Sequence, residues 1–177
     1  MEQKVNVWKT NLTNGLIMGL VGIVYTMVMY FLDLTFNTTL GYLFMLVQIF
    51  LLFFLVRSYR DNYLLGNITY GQAVGAGVII ILYSAIIMAV FNYILYTIID
   101  PGLTTKKLAF MEDMMLKKGT PQAAIDTFMK MQEKLQKPAI VAPLSIIGSM
   151  VGGTIMSLII AIFARKEGNP LIDTPEN

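Results

Sequence analysis

The chain has 177 residues, 56% hydrophobic and 14% charged, with 13 Lys and Arg against 11 Asp and Glu, and neither Cys nor His. A soluble domain carries about 25% charge and about 45–50% apolar residues. The composition therefore excludes a water-soluble domain, a disulfide framework, intrinsic disorder and, at a net charge of +2, a basic nucleic-acid surface. An integral membrane protein remains, and nothing in the composition specifies an activity.

A hydrocarbon core about 30 Å thick takes about 20 helical residues. Charge-free intervals at least that long lie between Lys9 and Asp33, Asp33 and Arg57, Asp61 and Asp100, and Lys137 and Arg165, so four helical spans are expected. The first, 14–32, is longer than the roughly 7–15 residues of a signal-peptide core, and no small-residue cleavage site follows, so it reads as a retained span. A short turn over 33–39 returns the second, 40–56, as an antiparallel neighbour. Gly66-Asn67 breaks the chain again, and Thr69 with Gln72 matches a capping box that starts the third span, 70–98. Asp100-Pro101-Gly102 ends it, because the residue before proline is biased away from the helical region.

Residues 103–137 interrupt the apolar pattern with Lys, Glu, Asp and Met. Thr120-Pro121 reads as an N-cap followed by a proline in the first helical position. Beyond it Ile125, Phe128, Met129, Gln132 and Leu135 fall on one helical side, and Ile125, Phe128, Met129 and Leu135 form a candidate partner face. Acid stands four residues before base at Asp113/Lys117, Asp126/Lys130 and Glu133/Lys137, at about 0.2–0.5 kcal/mol per pair. That is too little to hold a helix, so the apolar stripe must dock on something. Pro138 and Pro143 open the fourth span, 143–164. The expected fold is all-α: a four-transmembrane-helix bundle with an amphipathic helical hairpin between the third and fourth spans. It forms one integral membrane domain, 1–167, with a flexible tail over 168–177.

An even number of spans puts both termini on one side. Lys4 and Lys9 precede the first span, no Lys or Arg occupies the following turn, and Arg57 and Arg60 follow the second span. The positive-inside rule then sets both termini in the cytoplasm, although seven hairpin lysines (Lys106, Lys107, Lys117, Lys118, Lys130, Lys134 and Lys137) oppose it.

Three small-residue motifs, Gly15-x-x-x-Gly19, Gly71-x-x-x-Gly75 and Gly148-x-x-x-Gly152, permit close helix approach. Packing within one chain is their ordinary use, and a homodimer face the alternative. Gln48, Ser84 and Asn92 are the uncharged polar residues inside spans. They are expected to form interhelical hydrogen bonds, and are the candidates for a polar path. No acid or base falls deep within a span, and without His or Cys the usual acid–base groups, thiol nucleophile and soft metal ligands are missing. No catalytic residue, cofactor or metal is expected, and the protein reads as no enzyme. Trp8, Tyr59, Tyr63, Tyr70, Tyr93 and Tyr96 cluster near span ends in the manner of an aromatic belt. Thirteen Met residues are taken as flexible core filling.

Tyr59-Arg60-Asp61, then Gly66-Asn67-Ile68-Thr69-Tyr70-Gly71-Gln72-Ala73, then Ile99-Asp100-Pro101 ahead of a Met- and acid-bearing segment, resemble the bacterial membrane family named domain of unknown function 4199. The resemblance covers about residues 5–167. It implies four spans, a charged segment between the third and fourth, and a Gram-negative inner membrane. It supplies no activity and no catalytic residues. The expected function is a non-enzymatic scaffold or accessory subunit whose extracytoplasmic hairpin contacts a partner or the membrane surface. The alternative is an oligomeric channel or transporter for small solutes. The expected partners are the lipid bilayer and a second copy or another membrane protein, and no nucleic acid.

Overall fold

Polar residues, rather than the first apolar ones, decide where the helices begin. The computed structural model describes residues 5–166, side chains 138–139 excepted. Helix α1 (Val7–Phe31) starts at Asn6, whose side-chain oxygen accepts from the Trp8 and Lys9 N–H groups at 3.1 and 3.3 Å. Helix α2 (Thr38–Tyr63) starts at Asn37, which accepts from the Leu40 N–H at 3.0 Å. Helix α3 (Tyr70–Ile94) has the expected capping box: Thr69 Oγ1 accepts from the Gln72 N–H at 3.4 Å, and Gln72 Oε1 from the Thr69 N–H at 3.0 Å. These caps satisfy backbone donors orphaned at a helix start. They also carry α1 and α2 beyond the apolar limits of their spans.

Helix α3 continues as a π-helical turn over Leu95–Ile99; α4 (Gly102–Lys117), α5 (Gln122–Leu135) and α6 (Pro138–Ala164) follow. Four segments, 7–31, 38–63, 70–99 and 140–164, are long and apolar enough to cross a membrane. Gly66 and Gly119 sit at φ +82° and +72°, the left-handed conformation that favours glycine, and they turn the chain before α3 and between α4 and α5.

Helix α3 is the centre of the bundle, flanked by α1 and α6, while α2 packs more lightly on all three. Helices α1 and α3 run parallel, with Gly15 against Ile80 and Tyr83, Gly19 against Ile87, and Gly22 against Met88. Helix α2 is antiparallel to α1, and Tyr25 stacks on Phe44 with ring centroids 3.8 Å apart. Helix α6 is antiparallel to α3: Gly77 lies opposite Ser157 and Gly153 opposite Ile81. A two-way backbone pair between Ile68 and Lys166, at 2.8 and 3.0 Å, closes that seam. The chain's two described ends and the α2–α3 turn therefore share one end of the bundle. The α1–α2 turn and the α4–α5 pair share the other.

The core lies toward the terminal end, where Leu52, Val56, Tyr59, Ile68, Ala76 and Ile80 are buried. Elsewhere the helices are inverted relative to a soluble protein. On α1 the buried stripe is Asn11, Asn14, Gly15, Met18, Gly19 and Gly22. Large apolar residues face outward instead, Leu20 being 57% exposed, Val24 61% and, on α6, Phe163 72%. Small or polar residues inside and bulky aliphatics outside suit a lipid surround, because lipid gives no hydrophobic reason to hide leucine.

Several expectations shift. Helix α5 begins at Gln122 with Pro121 as its capping residue, one position later than the Thr120-Pro121 pattern predicts. The reason lies upstream: the Thr120 N–H closes the end of α4 on the Met115 carbonyl at 3.1 Å. Of the three anticipated i,i+4 pairs, Asp113–Lys117 forms at 2.6 Å, whereas Asp126 accepts from Gln122 Nε2 at 2.9 Å. Tyr59 is buried in the core and does not belong to an interfacial belt. The region 168–177, expected to be a flexible tail, lies outside the described residues.

Candidate functional site

The densest concentration of irregular features is the junction where α3 gives way to the charged helices. The Asp100 N–H bonds the Leu95 carbonyl at 2.9 Å, an i→i+5 closure that widens the last turn around the fully buried Leu95. Such π turns occur frequently at functional sites. Asp100 is extended at φ −143°, as the residue before a proline must be. Its carboxylate accepts from the Gly102 N–H at 3.0 Å and faces Lys106 Nζ at 3.7 Å. Phe36, from the α1–α2 turn, stacks on Phe110 of α4 at 5.7 Å and ties the hairpin to the bundle a second time.

Beside this junction lies a half-open cavity of about 200 Å³. Its polar lining includes Asn92 from α3, Tyr96 and Thr97 from the π turn, Thr104 and Lys107 from α4, Gln136 at the end of α5 and Ser145 from α6. Lys106 and Lys107 differ sharply. Lys106 is exposed and faces Asp100, whereas Lys107 is half-buried and has no acid within ion-pairing distance among the described residues. Burial alone holds the Lys107 ammonium below the usual lysine range, since desolvation disfavours the charged form. A cationic recess follows, with Lys107, Asn92, Tyr96 and Thr104 able to donate to an anion, whereas the Thr97 and Ser145 hydroxyls donate to the Tyr93 and Ala142 carbonyls.

The residues singled out by sequence do not gather at one place. Asn92 lines the cavity, while Gln48 on α2 and Ser84 on α3 are outside that lining. Ser84 is buried and Gln48 half-buried. Ile125 is fully buried, and Phe128, Met129 and Leu135 are half-buried. Since α5 packs on α4, this face is turned largely into the hairpin itself. The large apolar side chains left out are Leu116 and Met131, each 51% exposed. Gly15 and Gly19 make close α1–α3 contacts, but an added Cβ at Gly71, Gly75, Gly148 or Gly152 would meet nothing within 4 Å. The close glycines of the α3–α6 seam are Gly77 and Gly153, two residues beyond Gly75 and one beyond Gly152. Among the described residues, no three His, Cys, Asp or Glu side chains come together as metal ligands would.

Four residues escaped the sequence reading. Asn11 is fully buried, its Nδ2 donating to the Val7 carbonyl at 2.9 Å while its Oδ1 accepts from Asn14 Nδ2 at 3.0 Å. Their spacing on the same stripe as Gly15, Met18 and Gly19 was the available signal. Ser157 Oγ is buried with no hydrogen-bond partner among the described residues. Lys107 carried no signal apart from its neighbours, because seven lysines share that segment and only the fold selects one.

The architecture is that of a multi-pass, membrane-type helical bundle with a charged helical pair inserted between its third and fourth long helices. The chain belongs to the family described as protein of unknown function (DUF4199), whose family model matches residues 13–166. This is the family that the segments around Tyr59 and Gly66–Ala73 resemble. No curated protein and no solved structure matches the chain.

Proposed function

We propose that this protein is a non-enzymatic scaffold or accessory subunit of a bacterial inner membrane, with both termini in the cytoplasm. The α4–α5 pair then lies on the outer face as an amphipathic hairpin and contacts a protein partner or the membrane surface. The observation that carries the reading is the hairpin's attachment. It meets the bundle chiefly through α4, at the π turn and the Phe36–Phe110 stack, and it leaves Leu116 and Met131 exposed among its lysines. Exposed apolar groups rimmed by charge mark contact surfaces. Basic side chains beside them favour anionic headgroups.

The test places a photocrosslinking residue at Leu116 or Met131 in living cells, with Leu65, at the opposite end of the bundle, for comparison. Adducts to a discrete protein or to lipid from the two hairpin positions are expected. If both positions stay uncrosslinked and freely water-accessible, the reading fails. The channel alternative draws on Asn92 lining the cavity. It requires solute flux in proteoliposomes that Asn92→Leu abolishes.

A further inference from the structure

The cavity at the hairpin junction has a composition that the scaffold reading does not use. Its one cation, Lys107, is withdrawn from water and has no acid to neutralise it among the described residues. Lys106, one residue earlier, is already matched by Asp100 at 3.7 Å. An unpaired, partly desolvated ammonium is unfavourable unless something anionic joins it. Around it stand Asn92, Tyr96 and Thr104, which supply neutral hydrogen-bond donors, and Ser145, whose hydroxyl donates to the Ala142 carbonyl at 2.8 Å.

Depth and size narrow the ligand. Asn92 lies eight residues before the end of the third span at Asp100, about 12 Å along a helix. The cavity therefore sits in the outer part of the span, where headgroups meet acyl chains. Its neighbours Val90 and Ile94 on α3 and Leu144 on α6 are exposed and apolar, a surface for hydrocarbon. A volume of about 200 Å³ lies below the roughly 300–1,000 Å³ of pockets that enclose a drug-sized molecule. It fits a headgroup with its tails left outside.

We infer that this cavity binds the phosphate headgroup of an anionic membrane lipid, with Lys107 as the counter-charge and Asn92, Tyr96 and Thr104 donating to the phosphate oxygens. Lysine serves such sites as a point charge. The lowering of the Lys107 ammonium pKa by burial agrees with this, because an adjacent anion favours the charged form. The inference is independent of the scaffold reading: the cavity belongs to this chain alone and needs no protein partner.

The test uses the full-length protein in detergent, titrated with phosphatidylglycerol, phosphatidylcholine or inorganic phosphate and read by native mass spectrometry. Retention of phosphatidylglycerol over phosphatidylcholine is expected. Lys107→Gln should weaken it by about tenfold or more, the scale of one charged hydrogen bond. Lys107→Arg should keep it, and Lys106→Gln should leave it unchanged. Ser145→Phe, which fills the mouth while retaining the cation, should weaken it too and stands in if Lys107→Gln fails to fold. Equal retention of both lipids, undiminished binding by Lys107→Gln and Ser145→Phe, or equal loss in Lys106→Gln overturns the proposal. So does inorganic phosphate displacing the lipid at matched concentration, which would make the ligand a free anion.

Discussion

At the residue scale, the decisive quantity is what a side chain touches. A Cβ at Gly15 would overlap Tyr83 of α3, whereas one at Gly152 would meet open space. Gly15→Ala is expected to lower stability by about 1–3 kcal/mol through overpacking. Gly152→Ala should be neutral or stabilising by up to about 1 kcal/mol, from helix propensity alone. Thermal unfolding of the two variants in one detergent checks the pair, and equal midpoints would contradict the α1–α3 contact. Ser157 provides a second case. Its hydroxyl is buried opposite Gly77 without a partner among the described residues, and an unsatisfied polar group costs about 1–3 kcal/mol. Ser157→Ala should therefore raise the unfolding midpoint, and a lowered midpoint would show that the hydroxyl is satisfied. Both glycine motifs and serines are visible in the sequence. Which of them abut a neighbour is not, because one helical position turns a residue by about 100° and decides between seam and lipid.

At the element scale, one helix start was fully legible, that of α3. The Thr69–Gln72 capping box forms as its spacing predicts, because both partners are local. The π turn over Leu95–Ile99 was not legible, since it depends on how the end of α3 seats Leu95 against the rest of the fold. Nor was the far end of α6. Arg60 Nη1 donates to the Ala164 carbonyl at 3.0 Å, while its Nε and Nη2 hold Asp61 at 2.7 and 3.2 Å. One guanidinium thus joins the last turn of α2 to the C-terminus of α6, where a cation also opposes the negative end of the helix dipole. Arg60→Gln should cost about 1–2 kcal/mol, part of a charged hydrogen bond. Arg57→Gln should cost less than about 0.5 kcal/mol, because the Arg57–Asp61 contact at 3.5 Å is solvent-exposed. Denaturant titration of the two variants checks the order, and a larger loss for Arg57→Gln would sink the argument.

At the scale of the whole molecule, the antiparallel seams bring Trp8, the α2–α3 turn and Lys166 to one end and the α1–α2 turn and hairpin to the other. On the proposed topology, with the termini cytoplasmic, a membrane-impermeant thiol reagent should label single cysteines at Asp33 and Lys118 from outside. A cysteine at Asn62 should react only after permeabilisation, and the reverse pattern would invert the topology. The number of spans, their alternation and the charged interruption between the third and fourth were determined by the sequence alone. Hydrocarbon thickness fixes how long a charge-free run must be, and that information is local in the chain. The tertiary structure alone decided that α3 is central, that Gly77 and Gly153 hold its seam with α6, and that the Ile125 face turns into the hairpin. It also drew Lys107, out of seven lysines, into the cavity. Those outcomes depend on how helices rotate against one another. In lipid, small differences in close packing set that rotation, because hydrophobic burial gives it little direction.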